Sequence, residues 1–82
     1  MDPQERAARL EALHRCRQAA ERAYDELYEA GSPSHATGCY SEAKEALYDA
    51  IRLAEGLGLA EEARALEARL AHIKAVFRSQ FS

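Results

Sequence analysis

An 82-residue chain makes one small domain, and its core is too limited in volume to leave a wide margin of stability. With 30% charged and 48% hydrophobic residues, its composition excludes a disordered or fibrous chain. The formal net charge of −3 gives no strong field to steer a charged partner, and no apolar run approaches the ~20 residues that span a bilayer.

The start carries no charged-then-apolar signal pattern, so a cytoplasmic protein with both cysteines kept as thiols is expected. Alanine recurs with Glu, Arg and Leu throughout, and these are helix formers. The β-branched aliphatics are Ile51, Ile73 and Val76 alone, too few to build strands.

The first helix is expected over residues 3–30. Asp2 and Pro3 suit an N-cap and a first helical position, while Gly31 and Pro33 supply the stop. Leu13, Cys16, Ala20, Ala23, Tyr24 and Leu27 share one side, with Leu10 and Tyr28 at its edge.

Residues 31–38 read as a loop, and a second helix is expected over 39–57. Tyr40, Ala43, Leu47, Ala50, Ile51 and Ala54 follow the helical period, while Ala46, Leu53 and Leu57 widen the apolar face. A broad face of this kind suits the middle helix of a bundle, which touches two neighbours. Gly56 and Gly58 then interrupt the pattern.

A third helix is expected over 59–79. Leu59, Ala63, Leu66, Leu70, Ile73 and Phe77 alternate steps of four and three, which makes a heptad seam. The short link around Gly58 joins helices two and three as an antiparallel hairpin. The whole is expected to be a single all-α domain, a three-helix up-down-up antiparallel bundle spanning 1–82. Helix one, at ~40 Å, would overhang partners of ~28–30 Å.

The stretch "GCYSEAKEALYDAI" resembles the second helix of a tetratricopeptide repeat, with Gly38, Tyr40, Ala43, Leu47, Ala50 and Ile51 at that family's positions. The resemblance covers about fourteen residues. It departs from the family before Gly38, where "GSPSHAT" stands in place of a first helix, and after helix two, where the usual proline is missing. It implies a helical hairpin used for protein contacts.

His14, Cys16, His35 and Cys39 have the residue types of a zinc set, but His14 and Cys16 point about 200° apart on a helix and cannot hold one ion together. Cys16 lies ~21 Å below the end of helix one, far from Cys39, which also excludes a disulfide. No metal site and no cofactor are therefore expected. Cys16 reads as a small core residue. Cys39, opening helix two near His35, reads as a packed residue or as a thiol activated by the helix N-terminus. His72 falls about 140° from the seam of its helix and reads as solvated. Asp25, Glu26 and Glu29 read as a wet face.

In an up-down-up bundle Tyr24, Tyr28, Tyr40, Phe77 and Phe81 gather at one pole beside His35 and Cys39, as an aromatic cap or a contact surface. The expected function is a non-enzymatic helical protein-interaction or oligomerisation module, regulatory or adaptor in role, with a homodimer as the first partner to look for. The alternatives are a thiol-dependent protein using Cys39 and His35, or a nucleic-acid accessory protein. The five arginines at Arg6, Arg9, Arg15, Arg17 and Arg22 scatter around helix one instead of sharing a face, which speaks against the last.

Overall fold

The computed structural model describes residues 1–81, with the side chain of Phe81 outside the described part. Three helices in chain order, α1 (Pro3–Tyr28), α2 (Pro33–Gly56) and α3 (Ala60–Phe81), make up the described residues, with no strand among them. The all-α three-helix bundle expected from the periodicity is the observed fold.

The start of α2 corrects the expectation for residues 31–38. The segment is not a loop: α2 begins at Pro33, six residues before Cys39, and the connection shrinks to residues 29–32. The reason is local. Ser32 is extended and its hydroxyl accepts the His35 N–H at 3.1 Å, while Pro33 occupies a first-turn position where its missing N–H costs nothing. The Thr37 hydroxyl donates to the Pro33 carbonyl at 2.9 Å, and the Ala36 N–H reaches the Ser32 carbonyl at 3.0 Å. Proline after serine here starts a helix instead of stopping one.

At the other end of α1, Asp2 caps as expected, its carboxylate accepting the N–H groups of Gln4 at 2.7 Å and Glu5 at 3.3 Å. The α2–α3 link turns at Gly58, with φ +76°, a left-handed value that favours glycine. The Leu59 N–H bonds back to the Ala54 carbonyl at 2.9 Å, closing α2 with the six-to-one bond of a Schellman end.

The expected overhang of helix one shrinks for the same reason that α2 lengthens. Helices of 26, 24 and 22 residues run about 39, 36 and 33 Å. Arg6, in the first turn of α1, already donates to the Leu57 carbonyl at the end of α2, at 3.3 Å.

The expected stripes form the core. Leu13, Ala20, Ala23, Tyr24 and Leu27 are buried from α1, Ala43, Leu47, Ala50, Ile51 and Ala54 from α2, and Ala63, Leu66, Leu70 and Ile73 from α3. Ala36 and Cys39 extend the α2 stripe into the segment read as loop. Among the described residues no buried side chain is polar or charged, so burial of apolar surface, at roughly 1.5–3 kcal/mol for a large aliphatic, carries the fold.

Helix α2 packs against both neighbours, as the breadth of its apolar face requires. Helices α1 and α3 run parallel and meet chiefly through long side chains: Arg17 with Glu62 at 3.1 Å, Arg69 with Glu21 at 2.7 Å, and Tyr24 with His72 at 3.3 Å. The cross-section is accordingly oblong, 19 by 13 Å on a long axis of 45 Å.

Candidate functional site

Where α1 ends and α2 begins, the two helices bring three ligand-type side chains together. Glu26 stands in the last turn of α1. His35 and Cys39 lie four residues apart in the first two turns of α2, and so on one helical face. The Cys39 thiol donates to a Glu26 carboxylate oxygen at 3.9 Å, and the nearest donor atoms of all three residues lie within 4.8 Å of one another. Glu26 and His35 are exposed, whereas Cys39 is buried.

This position fits the reading of Cys39 as a packed residue and is the reverse of what an activated thiol there needs. A thiol on the first turn of a helix would be stabilised as thiolate by free N–H groups, but Cys39 sits near the end of the second turn. Burial pushes its pKa above the ordinary thiol value, and the carboxylates of Glu26 and Glu42 push it further. An activated nucleophile needs the opposite setting.

Cys16 is partly buried against the core, as expected of a packing residue. Burial and Asp49 raise its pKa, while Arg15 and Arg52 act the other way. His14 faces the cleft between α1 and α3, whereas Cys16 lines clefts shared with α2, so these two diverge as the helical wheel requires.

The expected aromatic residues fall into two groups. Tyr40 and Phe77, both half-buried, stack between α2 and α3 with centroids 4.0 Å apart, and Lys44 lies 4.4 Å from the Tyr40 ring. Tyr24 is buried and Tyr28 is 53% exposed, the two meeting edge to face at 5.2 Å with their hydroxyls 2.7 Å apart. Phe81 is the fifth ring expected at this pole, and its side chain lies outside the described part. His72 is exposed as expected yet not isolated, since its ring is at hydrogen-bonding distance from the Tyr24 hydroxyl. Its place on the flank of α3 that faces α1 follows from the bundle and not from its own helix.

Between α1 and α3 runs an open cleft of about 610 Å³. Leu47 and Leu66 contribute to its floor and Ala65 to one wall, while its rim carries Arg17, Glu21, Arg22 and Asp25 from α1 and Glu62 and Arg69 from α3. Arg69 grips Glu21 with two hydrogen bonds, at 2.9 and 2.7 Å, and lies 4.6 Å from the Tyr24 ring. Among the described residues no helix is long and apolar enough to cross a membrane. No protein-family model, curated protein or solved structure matches the chain.

Proposed function

We propose that the chain is a non-enzymatic helical interaction module that pairs with a second copy of itself across the cleft between α1 and α3. The observation that carries this is the incomplete third side of the bundle: both outer helices lie on α2, and only long polar side chains span the gap between them. A helix laid along that gap would cover the exposed Ala65 above the buried Leu47 and Leu66, completing a four-helix arrangement around the seam.

The rim charges favour a second copy as the occupant. Three arginines and three acids share it, so the rim carries both signs that a self-complementary interface between identical copies needs. A rim of one sign would instead call for an oppositely charged partner. The bridging ion pairs are exposed and worth about 0–1 kcal/mol each, so exchanging them for intermolecular pairs costs little.

The tetratricopeptide-like pattern of residues 38–51 points the same way, towards a helical hairpin used for protein contacts. The raised pKa of Cys39 weighs against a thiol-based activity. We place the protein in the cytoplasm, where its two free thiols stay reduced.

Sedimentation equilibrium across the micromolar range tests the proposal. A dimer is expected, loosened by salt. Ala65→Arg, at an exposed helical position lining the cleft, is expected to give a folded monomer. A wild-type chain that stays monomeric at every concentration, or an Ala65→Arg variant that dimerises as tightly as wild type, overturns it.

A further inference from the structure

We propose that Glu26, His35 and Cys39 form a binding site for a borderline divalent cation of the zinc type, with one coordination position open to solvent. Two ligands one turn apart on a helix, closed by a third from the facing helix, make a compact chelate, because residues four apart project side by side. Helix α2 supplies the pair and the last turn of α1 supplies the carboxylate.

The donor set selects the ion. Thiolate sulfur and imidazole nitrogen suit zinc and its neighbours, whereas calcium and magnesium prefer shells of oxygen. Three protein ligands leave one position for water or an exogenous group.

The separations are close to those needed. With Zn–S near 2.3 Å and Zn–N or Zn–O near 2.0–2.1 Å, tetrahedral ligand atoms lie roughly 3.4–3.6 Å from each other. The Cys39 sulfur and the Glu26 oxygen are already 3.9 Å apart, and the widest separation in the trio is within 4.8 Å. Contraction by about an ångström falls to Glu26 and His35, whose exposed side chains have room to rotate. Cys39, fixed in the core, is the anchor. On binding, the thiol gives up its proton to solvent and the sulfur becomes the ligand. The neighbouring Glu26 and Glu42 carboxylates add negative charge that favours a bound cation.

Cobalt(II) chloride added to the reduced, full-length chain provides the test. The expected result is a near-ultraviolet sulfur-to-cobalt band with visible bands of a four-coordinate ion, saturating at one cobalt per chain and abolished by zinc chloride. His35→Ala and Glu26→Gln, both at exposed positions that leave the helical signal intact, are expected to weaken cobalt binding by at least about tenfold. Cys39→Ala should remove the sulfur band and Cys16→Ala should leave it unchanged. The proposal is overturned by the absence of a sulfur band at millimolar cobalt, by unchanged affinity in both exposed variants, or by a band that disappears with Cys16.

Discussion

Tyr40 of α2 and Phe77 of α3 stack face to face, with centroids 4.0 Å apart and ring planes within 3° of parallel. They tie the C-terminal half of α3 to the early turns of α2, beyond the fully buried seam that ends at Ile73. Aromatic pairs contribute about 0.5–1.5 kcal/mol beyond their buried area. Phe77→Ala is therefore expected to lower unfolding free energy by about 2–3 kcal/mol, less than a fully buried phenylalanine would cost. Hydrogen exchange should quicken in the last turns of α3 more than elsewhere. Equal acceleration along all three helices would show that the stack does not act locally.

The two glycines that flank most of α2 should respond in opposite directions to the same change. Gly38 is helical and exposed, and a Cβ added there meets nothing within 4 Å. Gly38→Ala should stabilise by about 0.5–1 kcal/mol through the lower helix cost of alanine. Gly58 has equal room but φ +76°, so Gly58→Ala should destabilise by roughly 1–2 kcal/mol. Urea denaturation of both variants checks the pair. A destabilising Gly38→Ala would mean that residues 33–38 are not helical in solution.

The buried thiol of Cys39 makes stability depend on pH in the alkaline range. Its pKa is higher in the folded chain than in the unfolded one, because burial and then Glu26 and Glu42 disfavour the thiolate. The folded state thus holds the proton more tightly. Its contribution is complete below the unfolded thiol value of ~8.5 and is lost as pH rises through the folded value. The urea midpoint should fall above about pH 8.5, and Cys39→Ala should remove part of that fall. Parallel curves for the two proteins would refute the linkage.

Arg69 and Glu21 carry the best-formed bridge between the outer helices, with two hydrogen bonds at 2.9 and 2.7 Å. Both side chains are partly exposed, 36% and 49%, so solvent screening keeps the coupling small. A double-mutant cycle with Glu21→Ala and Arg69→Ala should give about 0.5–1 kcal/mol at low salt, shrinking towards zero at molar salt. A coupling that salt leaves unchanged would refute a solvent-screened ion pair.

The helical fold and its core were legible in the order of residues because apolar side chains recur at the helical period in all three segments. Leu47, Ala50 and Ala54 of α2 and Leu66, Leu70 and Ile73 of α3 are buried where that period puts them. Ser32 and Pro33 were ambiguous in isolation, since a proline that ends one helix also suits the first turn of the next. Ala36 and Cys39 settle the ambiguity only by being buried against other helices, and a single helix's pattern carries no record of its neighbours.

The chain's own period therefore determined that there are three rods and which face of each is dry. The tertiary structure decided which polar residues meet across them. Glu26 and Cys39, and Tyr24 and His72, are far apart along the chain or on different helices, and their approach depends on the rotation and register of packed helices. Those are set by packing in the core, where Ala20, Ala50 and Ala54 are fully buried. Local propensity specifies a rod, but only packing specifies how far that rod is turned.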